Sequence, residues 1–180
     1  MKRIGYLVLL LVITGSVVAL DQWTKALVRT NLELGESWNP IAWLRPFVNI
    51  TYWTNTGMAF GQFKSGGLIL TVVAFVVSGI IVWYYWRLPP GQSLVRLALG
   101  MQLGGAIGNL IDRLRFGTVT DFIEVTRFPV FNLSDASISA GVVVLAFVLW
   151  REGREKKAAP SSRTGLSANE AELRAPGVSE

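Results

Sequence analysis

The stretch GNLIDRLRFGTVTDFIEV, residues 108–125, places Asp112, Arg113, Arg115, Asp121 and Glu124 where an apolar run ends. Asp21 follows another apolar run and Asp135 opens a third. An ionised aspartate within a membrane span costs about 2.5–3.5 kcal/mol on insertion scales, so such residues usually face a partner or a water-filled cavity. The chain contains no histidine and no cysteine. Cysteine nucleophiles, histidine triads, HExxH zinc sites and disulfides are therefore excluded. What remains is chemistry by carboxylates, by a serine–lysine pair (Ser137 or Ser139 with Lys25 or Lys64), or by a divalent cation on oxygen ligands.

The elements that must position these residues are written in the composition. Of 180 residues, 51% are hydrophobic and 16% charged, against roughly 25% charged in an ordinary soluble domain. Two uncharged apolar runs, 4–20 and 68–86, have about the ~20 residues that a spanning helix needs. Two weaker runs follow at 94–111, with Arg96 near its start, and 135–150. The fold class expected is an all-α membrane protein of four transmembrane helices, about 4–22, 68–87, 94–113 and 135–151. A signal peptide is a poorer reading of the first run, which is longer than such a core and lacks a small-residue cleavage site before Asp21.

Lys2, Arg3, Arg87, Arg96, Arg151, Arg154, Lys156 and Lys157 flank one set of span ends, so both termini are expected in the cytoplasm. The net charge of +5 then suits an anionic inner leaflet, and no nucleic-acid motif accompanies it. Residues 1–151 form the membrane domain, and 152–180, rich in Pro, Ser, Gly and Glu, read as a disordered cytoplasmic tail. On the outer side, FVNITYWT (47–54) alternates with period two and GTVTDFIEV (117–125) is β-branched, predicting a small extracytoplasmic β-sheet. The Trp-bearing stretch 23–38 predicts a short interfacial helix.

Asp21, Asp112, Asp121 and Asp135 all map to the outer ends of the spans. Singly, each has an ordinary structural explanation. Asp135 suits a helix N-terminus, Asp21 and Lys25 are an i, i+4 pair, and Gly100, Gly104 and Gly108 follow the small-xxx-small pattern of close helix packing. Together they say more. Asn109, Asp112 and Arg113 share the last turn of the third span, Asp121 returns over it if the chain bends at Gly117, and Asn132 and Asp135 straddle the start of the fourth. Two neighbouring carboxylates share one proton and titrate as a unit. Such a pair can hydrolyse an amide without histidine or metal.

DQWTK (21–25), NTGMAF (55–60), GNLIDR (108–113), VTDF (119–122) and FNLSD (131–135) occur in the order and spacing of one family, and the chain resembles the lipoprotein signal peptidases (signal peptidase II), aspartic intramembrane peptidases. The resemblance covers nearly all of residues 1–151. It implies that Asp121 and Asp135 are the catalytic pair and that Asp112 supports the site without belonging to that pair. It further implies that Asn109, Arg113 and Asn132 line the site, with Asn55, Gly57, Asp21 and Lys25 around the pocket. Ser134 stands where the family usually has Ala. The implied substrate is a prolipoprotein carrying a diacylglyceryl cysteine, cut just before that cysteine in the bacterial inner membrane. Membrane lipids are the other expected partner, and neither a cofactor, a metal nor an obligate protein partner is implied.

Rival classes fit less well. A proton-coupled transporter holds its carboxylates near the midplane between repeats, and no repeat is visible. A metal-dependent head-group transferase would need its aspartates at the cytoplasmic face. These alternatives separate under chelation: EDTA is expected to leave precursor cleavage unchanged in a gel-shift assay, whereas a loss restored by Mg²⁺ would favour the transferase.

Overall fold

A computed structural model describes residues 2–57 and 66–158 of the chain. The elements run α1 (Lys2–Asn31), β1 (Ser37–Trp38), a 3-10 turn (Ala42–Leu44), β2 (Val48–Asn55), α2 (Gly66–Arg87), α3 (Ser93–Phe116), β3 (Val119–Val125) and α4 (Leu133–Ala158). Among the described residues, four helices are long and apolar enough to cross a membrane. Most of their surface faces outward, as lipid contact requires, except on α3, which is largely buried.

The buried helix is the one with the small residues, and the reason is steric. A Cβ at Gly100 would meet Ile13 at 2.9 Å, one at Gly104 would meet Val17 at 2.6 Å, and one at Gly108 would meet the Asp21 carboxylate at 2.6 Å. Rows spaced by four on two parallel helices thus interlock, 100, 104 and 108 against 13, 17 and 21. The next rung, Asp112 against Lys25, is polar, and the one after it sets Phe116 against Arg29. A second face of α3 approaches α4 in antiparallel sense. Cβ atoms at Gly105 and Gly141 would run into the carbonyls of Ser134 and Ala98 respectively.

Arg96, which weakened the third run as a span, is only 3% exposed. Its guanidinium donates to the carbonyls of Tyr85 (3.2 Å) and Leu88 (2.8 Å) at the end of α2, and lies 3.8 Å from the Tyr6 ring centroid. The charge is thereby spent on helix-end carbonyls and aromatic faces, which is how a cation becomes tolerable there.

The sheet is three-stranded and antiparallel in the order β1-β2-β3. Its register contains the one feature that matters for the site. Ile50 pairs with Ile123, but Trp53 pairs with Asp121, so β2 advances three residues while β3 advances two. This bulge inverts the alternation of β2 beyond it. Strict period two, as the sequence suggests, would put Trp53 and Asn55 on the face away from Asp121; the bulge turns both onto its face.

Two helix boundaries differ from expectation. Residues 23–31, expected from the tryptophan-bearing stretch to begin a separate interfacial helix, instead continue α1, with Lys25 and Arg29 met by residues of α3 and β3. The 3-10 turn at Ala42–Leu44 is the short helical piece outside the spans. At the other end, α4 stays helical through Ala158, past residue 151, with an Arg151–Glu155 pair at 3.0 Å; the rest of the expected tail, 159–180, lies outside the described residues.

The glycine contacts predict unequal costs. Gly105→Ala drives a methyl into backbone, which cannot give, and overpacking of this kind costs about 1–3 kcal/mol. Gly100→Ala meets the Ile13 side chain, at 2.9 Å for Cγ2 and 3.0 Å for Cβ, a milder approach than the one onto backbone at Gly105. Thermal unfolding in detergent should show Gly105→Ala melting well below Gly100→Ala, and equal melting would show that α4 does not approach α3 so closely.

Candidate active site

The site forms where α1, α3, β3 and the start of α4 meet. Gly117 ends α3 in the left-handed conformation (φ +76°), its N–H bonded to the Arg113 carbonyl at 3.0 Å, and so turns the chain back as the position of glycine there suggests. Two residues later β3 begins, and its third residue is Asp121, 1% exposed.

Asp135 reaches the same place from α4. Asn132 is the residue before the helix: its Oδ1 accepts the Asp135 N–H at 3.0 Å, while Asp135 Oδ2 accepts the Asn132 N–H at 3.2 Å. This is a reciprocal capping box. Asp135 does cap its helix, then, but only with one oxygen; Oδ1 is left to accept Asn109 Nδ2 at 2.8 Å.

Three asparagines hold the two carboxylates. Asn132 Nδ2 donates to Asp121 Oδ1 at 2.7 Å, and Asn55 Nδ2 donates to Asp121 Oδ2 at 2.9 Å. Asn132 therefore bridges Asp121 and Asp135. Asn55 is oriented by Gly57, whose N–H donates to Asn55 Oδ1 at 2.7 Å. Gly57 has φ +82°, which favours glycine, and a Cβ there would also displace the end of the Leu70 side chain. Asn109 Oδ1 accepts Lys25 Nζ at 2.9 Å and Asn132 Nδ2 at 3.1 Å.

Behind this lies a buried ionic cluster. Lys25, Asp21 and Asp112 are all 0% exposed. Lys25 Nζ lies 2.9 Å from Asp21 and 3.6 Å from Asp112. Asp21 Oδ1 accepts the Ser134 N–H at 2.9 Å, at the first turn of α4, and Asp112 Oδ2 accepts the Thr120 N–H at 2.9 Å. Asp112 thus holds the main chain at the start of β3. Arg113 stands beside Gly57 with Asp135, Asp121 and Asp112 as its charged neighbours.

Burial pushes the Asp121 carboxyl up from 3.8 to about 6, and the nearby Asp135 charge adds to the rise; the amides of Asn55 and Asn132 and the Lys25 ammonium hold it down. A carboxyl that keeps its proton this close to neutrality beside a second carboxylate is suited to acid–base work.

All ten residues singled out in the sequence fall in or beside this site, although Met58, Ala59 and Phe60 of NTGMAF lie outside the described residues. The serine–lysine alternative finds no support in the Lys25 contacts: Ser137 Oγ donates to the Met101 carbonyl at 3.0 Å, while Lys25 is engaged by Asp21, Asn109 and Asp112. Lys64 lies outside the described residues. Sequence reasoning missed Gln22, Arg29 and Thr120. Gln22 Nε2 donates to Asp112 Oδ1 and the Gly108 carbonyl, both at 3.1 Å, and Arg29 Nη1 donates to Thr120 Oγ1 at 2.9 Å. The available signal was helical spacing, since 21, 25 and 29 line one face of α1.

The signal peptidase (SPase) II family matches residues 13–151. The chain is 43% identical over 143 residues to the lipoprotein signal peptidase of Moorella thermoacetica, covering 77% of this chain and 93% of that one. It is 42% identical over 138 residues to that of Geobacillus thermodenitrificans, covering 74% and 84% respectively. Among solved structures it is similar to a bacterial membrane enzyme determined by the in meso method at 2.3 Å resolution, with TM-score 0.75, 28% identity, and coverage of 85% of this chain and 94% of that one. A second such structure, at 1.9 Å, gives TM-score 0.72 at 29% identity, covering 78% and 91%.

The hydrogen bonds around Asp121 predict the direction in which its titration moves. Asn55→Ala removes a donor to the charged form and should shift it above about 6; Asp135→Asn removes a like charge and should shift it down. The protonated-carboxyl stretch followed by infrared spectroscopy against pH reads both, and shifts of the opposite sign would refute the electrostatic account.

Proposed function

Because the chain belongs to the signal peptidase II family, we propose that Asp121 and Asp135 are the pair of carboxyls by which this aspartic peptidase removes signal peptides from prolipoproteins. The observation that carries the assignment is the single asparagine, Asn132, bonded to both carboxylates.

The pair holds one proton between its two members. The ionised carboxylate takes a proton from water as its oxygen adds to the scissile carbonyl carbon; the protonated one donates to the carbonyl oxygen. The tetrahedral intermediate collapses as a proton passes to the amide nitrogen and the C–N bond breaks. The signal peptide leaves with a new carboxylate, and the diacylglyceryl cysteine leaves with a free amine. Asn55, Asn109 and Asn132 fix the carboxylates during these steps. Arg113, close to Gly57 and to both aspartates, offsets the one negative charge of the singly protonated pair. Asp21, Lys25 and Asp112 hold the supporting elements.

The protein is a multi-pass bacterial membrane protein. We place both termini in the cytoplasm and the site near the outer face, a reading supported by the basic residues that flank the opposite span ends. Exposed Leu34, Trp38, Trp43, Phe47 and Phe128, all outside the spans, fit contact with lipid at headgroup level. A site at that depth suits a substrate whose acyl chains lie in the outer leaflet.

Asp121→Asn and Asp135→Asn are each expected to abolish cleavage of a diacylglyceryl-modified precursor peptide, with the cut bond located by mass spectrometry, while insertion stays normal. Asp112→Asn should only reduce it. Full activity in either of the first two variants would overturn the assignment.

A further inference from the structure

Arg29 belongs to none of the motifs, yet it touches three points in succession along the turn that delivers Asp121. Its guanidinium lies 3.6 Å from Asp112 Oδ1, 4.6 Å from the ring centroid of Phe116, the last residue of α3, and donates to Thr120 Oγ1 at 2.9 Å. Thr120, 3% exposed, is the residue immediately before Asp121, and its N–H is already bonded to Asp112 Oδ2 at 2.9 Å. The first turn of β3 is therefore gripped from both sides, by Asp112 at the backbone and by Arg29 at the side chain, and Asp112 and Arg29 are themselves paired.

The need for such a grip follows from the local chain. Between the end of α3 and Asp121 stand Gly117, with its left-handed φ, and a short link whose ladder partners, Trp53, Thr54 and Asn55, lie on the far side of the β2 bulge, so contacts from α1 and α3 add to what β2 alone provides. Asn55 and Asn132 hold the tip of the Asp121 carboxylate; they do not fix the backbone from which it departs. A misplacement of about 1 Å at a reacting group costs up to about a hundredfold in rate.

We propose that Arg29 is a positioning residue for Asp121: by fixing Thr120 against Asp112 it sets the angle at which the Asp121 carboxylate enters the pair. It touches neither carboxylate of that pair, so its effect falls on the chemical step and not on substrate affinity. The inference rests on the reading of Asp121 as catalytic.

The test compares Arg29→Gln, Thr120→Val, their combination, Thr120→Ser and Asp121→Asn, each in the full-length enzyme, on a diacylglyceryl-modified precursor peptide. Each of the first two should lower kcat about tenfold and leave KM within about twofold, the signature of an interaction felt in the transition state. The double variant should be no worse than the poorer single one, because both remove the same contact. Thr120→Ser, which keeps the hydroxyl, should retain the kcat of the unaltered enzyme. Losses that multiply, a loss confined to KM, or an unchanged kcat in Arg29→Gln would overturn the proposal. Should Arg29→Gln fail to fold, equal kcat for Thr120→Val and Thr120→Ser would overturn it alone. Inactive Asp121→Asn beside fully active Arg29→Gln refutes this inference and leaves the catalytic pair standing; active Asp121→Asn refutes both.

Discussion

The structure depends on three asparagine side chains, each of which is forced to point its oxygen at a group that can only donate. Lys25 has no acceptor capacity, so Asn109 Oδ1 faces it and Asn109 Nδ2 turns to Asp135. The Gly57 N–H takes Asn55 Oδ1, which leaves Asn55 Nδ2 for Asp121. The Asp135 N–H takes Asn132 Oδ1, which sends Asn132 Nδ2 to Asp121 and Asn109. None of the three amide orientations is free, and each carboxylate receives a donor whose direction was settled elsewhere. A carboxylate held in this way keeps its rotamer before substrate arrives.

The obligate donors must themselves be tolerated in an apolar protein. Lys25 and Arg29 carry two positive charges and Asp21 and Asp112 two negative ones, so the cluster behind the site is neutral. Burying one unpaired charge there would cost several kcal/mol, and pairing alone seldom recovers that loss unless the remaining donors and acceptors are filled. Here they are filled by main chain: the Ser134 and Thr120 N–H groups complete Asp21 and Asp112. Those two N–H groups sit one residue before Asp135 and Asp121 respectively. Neutralising the cluster and positioning the two aspartates are thus the same set of bonds, which gives Asp112 a place beside the site through the Thr120 main chain.

What was legible in the sequence, and what was not, divides along the same physical line. Spans show in composition because lipid selects apolar surface over a fixed length, and the polar residues at their ends stand out against that background. The turn at Gly117 was legible because glycine is the residue that most readily takes the left-handed conformation at a helix end. The continuation of α1 through Asn31 was hidden: the tryptophans of 23–38 suit the headgroup level, and nothing local shows that Lys25 and Arg29 meet Asp112 and Thr120, about ninety residues away. The bulge in β2 was hidden as well. A period-two pattern in FVNITYWT is unaltered by one inserted residue in the pairing, yet that residue decides whether Asn55 faces Asp121 or faces away.

The two aspartates reach the site by unlike routes, and this difference determines how firmly each is held. Asp135 sits in the first turn of α4, whose backbone lies against Gly105 of α3 with no room for a single carbon; its position is set by packing between helices and moves only if they part. Asp121 sits on a strand, beyond a glycine turn, tied to α1 and α3 by hydrogen bonds and to β2 across a bulge. Its partner Asn55 lies on the exposed end of β2, next to Gly57 and the chain that follows. Hydrogen bonds to a strand open at far lower cost than interlocked helices separate. The α4 side of the site is therefore held by packing between helices and the sheet side by hydrogen bonds, so the placement of Asp121 rests on the bonds of Asn55, Asn132 and Thr120 where that of Asp135 rests on the closeness of two helices.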